Sequence, residues 1–205
     1  MKIVYSLLFF LFSIVFFAQD RLKFTPEMKF YATSEMGLGS NQLKKAHGTS
    51  FGGGFEMAFI SYKNVKAALG LQYTKFPVRD NERIGSYTST RFYDFFFQLN
   101  YELKPFKKVK VSPLVQLSSS FLKQLTSNST YDTNEITSQI NPNVGLMINY
   151  VIVENFDVYL KTMYVTRTFS IKTNPEYEDF FNKNQSLAFN IGINIILYPN
   201  SSNTK

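Results

Sequence analysis

Residues 186–197 read SLAFNIGINIIL, and large apolar side chains alternate in this stretch with small or polar ones. The large apolar side chains are those of Leu187, Phe189, Ile191, Ile193, Ile195 and Leu197. The side chains between them are those of Ser186, Ala188, Asn190, Gly192 and Asn194. Because successive side chains of a β-strand point to opposite sides, this period of two predicts a strand with one apolar and one polar face.

The same alternation occurs seven more times from about Met28 onward, so the sequence predicts eight strands. Long polar connections occupy residues 39–50, 77–89, 123–135 and 171–184. Short connections lie near residues 63–64, 104–107 and 154–155. If consecutive strands are antiparallel, all long connections emerge at one end of the sheet and all short ones at the other. This asymmetry is typical of transmembrane β-barrels.

Periodicity alone does not say which face points into the barrel, and a soluble lipocalin-like barrel with an apolar interior would alternate in the same way. The interior of an eight-stranded barrel is just wide enough to be filled by side chains, which favours the face with small residues. These small residues are Gly52, Gly54, Ala58, Ala68, Gly70, Gly145, Ala188 and Gly192. The predicted strands are also about ten residues long or longer, as a tilted strand needs to cross a bilayer. We therefore predict an all-β fold, an eight-stranded antiparallel up-and-down transmembrane β-barrel.

The N-terminal segment has the layout of a secretory signal peptide. Met1 and Lys2 precede an apolar run over residues 3–18, and the polar residues 19–21 follow it directly. A basic start, a short apolar run and a small last residue, here Ala18, are typical of such signals. We predict a signal peptide over residues 1–18 and a barrel domain over residues 19–205. The alternative is an uncleaved N-terminal anchor.

The composition excludes several classes of function. The chain has no Cys and one His, which excludes disulfide scaffolds, thiolate zinc sites and cysteine nucleophiles and leaves little material for catalysis. The net charge of +7 is spread over the chain, and its densest basic run is only Lys107-Lys108. A nucleic-acid partner would require a longer basic tract or stripe. We therefore expect no catalytic residue, no cofactor, no metal site and no nucleic-acid partner.

The mature chain resembles the small eight-stranded outer-membrane barrels of the OmpA/OmpX kind, and especially the outer-membrane β-barrel domain proteins of Bacteroidota, including PorT-like barrels. Its final strand is similar to the signal by which such barrels are recognised for insertion. The residues that carry this likeness are Asn190, Gly192, Ile195, Leu197 and Tyr198. The family signal often ends at the chain terminus, whereas residues 199–205 follow here. The resemblance implies the bacterial outer membrane as location, and the barrel-assembly machinery, outer-membrane lipid and lipopolysaccharide as partners.

Ten charged residues fall on the face predicted to point into the barrel. They are Lys29, Glu35, Glu56, Lys66, Asp94, Glu102, Lys110, Asp157, Lys161 and Arg167. Because five of them are acidic and five are basic, and because buried charges must be paired or solvated, we interpret them as a salt-bridged plug. The alternative is a selective ion path lined by the same residues.

Two features of the predicted loops bear on chemistry. His47 lies close to Ser50, which allows the hypothesis of a lipid deacylase, but we find no deacylase motif and expect an exposed loop histidine whose replacement by Ala leaves folding unchanged. Glu176, Glu178 and Asp179 are candidate oxygen ligands for a divalent cation, yet they lack the spacing of a known calcium loop. We expect a solvated loop there.

The sequence therefore predicts a monomeric outer-membrane barrel with a filled lumen. We expect a non-enzymatic role in the cell envelope, or binding of an unidentified protein partner through the surface loops. The likeness to PorT-like barrels implies docking to a secretion machine. A small pore and a lipid-modifying enzyme are the alternatives.

The orientation of the strands is tested at two neighbouring positions of the last strand. If Ile193 faces lipid near the midplane of the membrane, Ile193→Arg destabilises the folded barrel by about 2 to 4 kcal/mol. Denaturant titration in lipid vesicles measures the loss. A large penalty for Asn194→Leu, combined with none for Ile193→Arg, would contradict the predicted orientation.

Overall fold

Eight long strands make up most of the structure, a computed structural model that describes residues 22–126 and 136–197. In chain order they are β1 (Leu22–Gly37), β2 (Phe51–Tyr62), β3 (Val65–Pro77), β4 (Tyr87–Tyr101), β5 (Val109–Thr126), β6 (Asn141–Val153), β7 (Phe156–Thr168) and β8 (Lys183–Ile196). The predicted signal peptide and Tyr198 lie outside the described residues.

The strands form one closed antiparallel barrel. Each strand pairs with its neighbours in the chain, and β8 pairs back with β1. From Phe121 on β5, the register can be followed around the barrel through Tyr93, Tyr73, Gly53, Ala32, Ile191, Leu160 and Ile148 to Val111. The path thus returns to β5 ten residues from where it left, at Val111 instead of Phe121. Such a stagger requires tilted strands. The predicted eight-stranded antiparallel barrel is confirmed.

The connections have the predicted asymmetry. The first, second and fourth long connections carry short helices: α1 (Gln42–Lys45), α2 (Asn81–Ile84), and a 3₁₀ turn (Pro175–Tyr177) that leads into α3 (Glu178–Asn182). Two short strand segments, Leu103–Phe106 and Ile136–Thr137, pair with β5. Among the described residues, no helix is both long and apolar enough to span a membrane. We call the two ends of the barrel the loop end and the turn end.

The first strand begins earlier than the alternation indicates. The sequence predicts a start near Met28, whereas β1 begins at Leu22. A register shift lies between Phe24 and Glu27 where β1 pairs with β2. Because a bulge moves later side chains to the other face, the period of two is lost at this point. Glu27 follows the shift and lies on the inner face with Lys29, one residue before the predicted start of the strand.

The apolar face of the strands points outward. Large apolar side chains are exposed over the whole outer wall: Ile191 is 66% exposed, Phe95 54% and Leu71 53%. The inward positions of the same strands are buried and largely polar. A barrel with an apolar interior is thereby excluded.

The interior also contains large aromatic rings among its small and polar side chains. Tyr31 and Phe96 are buried inside the barrel. A Cβ atom at Gly54 would overlap the ring of Tyr31, and one at Gly70 would overlap the ring of Phe96. Glycines on neighbouring strands therefore provide the space that these rings occupy.

Candidate functional site: the ion-pair network in the lumen

All ten charged side chains that the sequence assigns to the lumen point inward. Seven of them are buried, and Lys66, Glu102 and Lys110 at the turn end are largely shielded from solvent. Glu27 joins them and is 4% exposed, so that six carboxylates face five basic groups. Its position two residues before Lys29, on the same face of β1, is the signal by which the sequence could have revealed it.

Arg167 on β7 holds two carboxylates from strands that do not neighbour β7. Its Nη1 donates to Oε2 of Glu35 at 2.8 Å, and its Nη2 donates to Oε1 of the same residue at 2.9 Å. Its Nε donates to Oδ1 of Asp94 at 3.0 Å, and Nη2 also donates to Oδ2 at 2.7 Å. The planar guanidinium can satisfy both carboxylates because its donors form a rigid fork. Arg167, Glu35 and Asp94 thus form one cluster, which we call the Arg167 cluster.

Neutral side chains complete the hydrogen bonding of these carboxylates. Ser186 and Gln72 donate to Glu35, each at 2.8 Å, and the hydroxyl of Ser120 donates to Asp94. The alternation in the sequence does not distinguish these residues from other polar side chains of the inner face. They lie at inward positions of β8, β3 and β5, but their role depends on the register between strands, which the sequence does not reveal.

A second cluster, the Glu56 cluster, lies nearer the turn end and has the opposite balance of charge. Glu56 accepts from Lys29 Nζ at 2.5 Å and from Lys161 Nζ at 3.0 Å. Gln98 donates to Glu56 at 3.1 Å, and Lys161 lies 4.9 Å from the centroid of the Tyr31 ring. One carboxylate thus serves two ammonium groups, whereas one guanidinium serves two carboxylates in the Arg167 cluster.

The remaining charges form two groups at the turn end. Lys66 donates to Glu27 at 2.6 Å and to Glu102 at 2.8 Å. Lys110 donates to Asp157 at 2.8 Å. The Arg167 cluster has a net negative charge, and the Glu56 cluster, nearer the turn end, has a net positive charge. The group of Lys66 with its two carboxylates at the turn end is again net negative. Adjacent clusters therefore attract each other.

An apolar layer closes the lumen on the loop side of the Arg167 cluster. It consists of the buried side chains Leu43, Phe76, Phe92, Leu122 and Phe169. Four of them belong to the barrel wall or its immediate continuation, and Leu43 comes from α1 in the first long loop. The guanidinium of Arg167 lies 4.7 Å from the centroid of the Phe92 ring. This layer separates the ion pairs from the solvent at the loop end.

His47 is buried beside this layer, and the prediction of an exposed loop histidine is wrong. It is 6% exposed, and its ring packs edge-on against Phe76. Its Nδ1 lies 3.0 Å from the carbonyl oxygen of Gln42, and its Nε2 lies 2.7 Å from the hydroxyl of Thr90. A neutral ring donating from Nδ1 and accepting at Nε2 satisfies both contacts. The α1 segment folds over the end of the barrel and brings His47 inside, which the polar sequence around it does not reveal.

The other candidate residues are placed as follows. Glu176, Glu178 and Asp179 are exposed, and Asp179 pairs with Lys183 at 2.9 Å. No group of metal-ligating side chains occurs among the described residues.

The residues of the predicted assembly signal lie on and just after β8. Asn190 is buried and accepts from Thr33 at 2.6 Å, while Ile195 and Leu197 lie near the turn end. The role of this last strand as an assembly signal stays a prediction.

No known protein family and no curated protein matches the chain. Among solved structures, it is similar to Neisserial surface protein A, with a TM-score of 0.56 and 15% identity over 85% of this chain and 97% of that one. It is also similar to the outer membrane protein OprG from Pseudomonas aeruginosa, with a TM-score of 0.56 and 11% identity over 87% and 98% of the two chains. A major outer membrane protein from Thermus thermophilus gives 0.53 and 12% over 83% and 99%. At such low identity, these likenesses establish the barrel fold alone.

Removal of Arg167 tests the energetic role of the network. Arg167→Ala leaves the carboxylates of Glu35 and Asp94 buried without their cation, and we expect a loss of about 3 to 5 kcal/mol in the free energy of unfolding. Lys183→Ala, which breaks the exposed pair with Asp179, is the control and should cost under about 1 kcal/mol. Denaturant titration of both variants in lipid vesicles measures the difference. Equal, small losses would contradict a buried ion-pair network.

The burial of His47 predicts a dependence on pH at the loop end. Burial lowers the pKa of His47, although the hydrogen bond to the carbonyl of Gln42 opposes the shift. The folded loop therefore prefers the neutral ring, and this contribution to stability is complete above the pKa of the unfolded chain, about 6.5. It is lost as the pH falls from there through the lowered pKa of the folded state.

We therefore expect amide protons of α1 to exchange faster at pH 5, after correction for the intrinsic rate, than at pH 7. His47→Gln keeps a polar side chain without a titrating ring and should remove this dependence. Unchanged protection of α1 in the unmodified protein between the two pH values would show that burial of His47 does not control the loop.

Proposed function

We propose that this protein is an integral barrel of the bacterial outer membrane with a closed lumen, and that its function lies in the loops at the loop end. One observation carries the proposal: charges are paired inside the barrel while large apolar side chains cover its outside. An exposed apolar wall of this size requires a lipid environment. Two of the similar solved structures, those from Pseudomonas aeruginosa and Thermus thermophilus, are outer membrane proteins, which supports the same location for this chain. In that location the long loops face the exterior, and the turn end, where β1 begins and β8 ends, faces the periplasm.

The evidence for a closed lumen is the dense filling of the barrel interior by side chains. Glu35, Glu56 and Gln98 are fully buried, as is Phe92 in the apolar layer. An ion crossing the barrel would have to break the Glu56 cluster, the Arg167 cluster and the apolar layer one after another. Buried ion pairs of this kind are costly to disrupt. The network is therefore better suited to sealing the barrel than to conducting ions.

The proposed role is non-enzymatic. The only histidine of the chain contacts a backbone carbonyl and a buried threonine hydroxyl, and no carboxylate of the described residues contacts its ring. A serine hydrolase needs an accessible nucleophile, a base and an orienting acid together. We propose instead that the exposed parts of the loops, including α3, bind a protein partner in the cell envelope. Docking to a secretion machine, as in PorT-like barrels, is one form of this role.

Conductance measurements test the closed lumen. Purified protein in planar bilayers should give no steady single-channel steps, because no continuous aqueous path crosses the Glu56 cluster. The triple variant Lys29→Ala, Glu56→Ala and Lys161→Ala removes this cluster without leaving an unpaired charge in it, and it should also stay closed, because the Arg167 cluster and the apolar layer still block the lumen. Large, steady steps from the unmodified protein would overturn the closed lumen and favour the small pore.

A further inference from the structure

Three basic residues stand side by side on the outer wall of the barrel near the loop end. Lys75 on β3 lies opposite Arg91 on β4, and Arg91 lies opposite Lys123 on β5. All three are on the outward face, and each is half-buried. Because neighbouring strands are about 4.8 Å apart, the three side chains start from points close enough to share one ligand. We call them the basic row.

The placement of Lys75 directly opposite Arg91 is unfavourable without an anion. Like charges directly opposite each other on neighbouring strands destabilise a sheet. No carboxylate of the described residues forms an ion pair with Lys75 or Arg91, and Nε of Arg91 is buried without a hydrogen-bond partner. No Asp or Glu points outward from any of the eight strands in the described residues. Lys75 and Arg91 are therefore adjacent positive charges on a wall where the described parts of the strands place no carboxylate.

An apolar groove lies on the same wall, directly towards the membrane centre from the basic row. It forms where Gly53 leaves a gap among large side chains, and its volume is about 420 Å³. Its main lining side chains are Phe55, Leu71, Tyr73, Tyr93, Phe95 and Phe121. Tyr73, Tyr93 and Phe121 each precede or follow a member of the basic row by two positions on the same strand. The charges and the aromatic rim of the groove are thus roughly 7 Å apart.

We propose that the basic row and the groove together bind one phosphorylated lipid of the surrounding membrane. This inference rests on the proposed membrane location. The phosphate is held by Arg91 and Lys75, with Lys123 beside them, and an acyl chain fills the groove. A guanidinium binds phosphate through paired donors, and aromatic side chains of transmembrane barrels lie at the level of the lipid headgroups. Because the groove opens to the lipid side, a lipid supplies both the anion and the apolar chain.

The absence of Trp from the chain permits a direct test. Phe95→Trp places a single fluorophore in the groove, and Leu160→Trp places one on the outer wall of β7, far from the basic row. Each protein is reconstituted in phosphatidylcholine vesicles containing phosphatidic acid, with bromine on the acyl chains of one lipid or the other. Quenching of Trp fluorescence then measures which lipid lies against each reporter.

We expect phosphatidic acid to be preferred at the Phe95→Trp reporter by roughly an order of magnitude, since each basic residue near the headgroups contributes about fivefold. The added substitutions Lys75→Gln and Arg91→Gln should abolish this preference. Lys44→Gln and Lys172→Gln remove the same charge from exposed loop positions and should leave it intact.

The possible failures are distinguishable. An equal preference for phosphatidic acid at both reporters, or one that survives loss of Lys75 and Arg91, would indicate diffuse attraction and overturn the lipid site. Quenching by both lipids without preference would overturn it while leaving the membrane barrel intact. If brominated phosphatidylcholine quenches neither reporter, the outer wall does not contact lipid, and the proposed function itself is overturned.

Discussion

The contact of Arg167 with Glu35 and Asp94 connects three strands that share no backbone hydrogen bonds with one another. β7 pairs with β6 and β8, yet its guanidinium reaches across the lumen to β1 and β4. A buried ion pair adds little net stability, but a wrong pairing would leave a charge without a partner and cost several kcal/mol. The network therefore disfavours registers in which these charges lose their partners. Because the stagger of the barrel determines which inward side chains meet, the ion pairs favour the stagger of this structure.

The alternation of the sequence predicts the strands, their orientation and the inward charges, because each depends only on which face a residue occupies. The partners of these charges could not be predicted in the same way. Glu35 and Arg167 are far apart in the chain, and their meeting depends on the register of the whole barrel. The space for the rings of Tyr31 and Phe96 likewise depends on which glycines lie next to them on neighbouring strands. The burial of His47 could not be predicted either, because it results from the folding of α1 over the lumen, and this fold has no periodic signal in the sequence.

The filled interior leaves the loops and the outer wall as the surfaces that can contact other molecules. Side chains and ion pairs occupy the lumen along its length, and the apolar layer with Leu43 covers its loop end. The first long loop is thus partly a structural cap, anchored by His47 and Leu43. The fourth long loop, with the exposed helix α3, contributes no buried residue from that helix. A partner that binds at the loop end therefore finds more free surface on the fourth loop than on the first.

Charged side chains on the inner and outer faces of the same strands differ in whether they have oppositely charged partners. Each of the eleven inward charges in the described residues has an oppositely charged partner within 3.0 Å. On the outer wall, Lys75 and Arg91 stand opposite each other without such a partner among the described residues. Repulsion between exposed charges is weak in water, but it strengthens beside lipid because the surroundings there are less polar. In the membrane, an anionic headgroup can supply the missing charge. The inward charges thus pair with one another, whereas the proposed partner of Lys75 and Arg91 is a lipid.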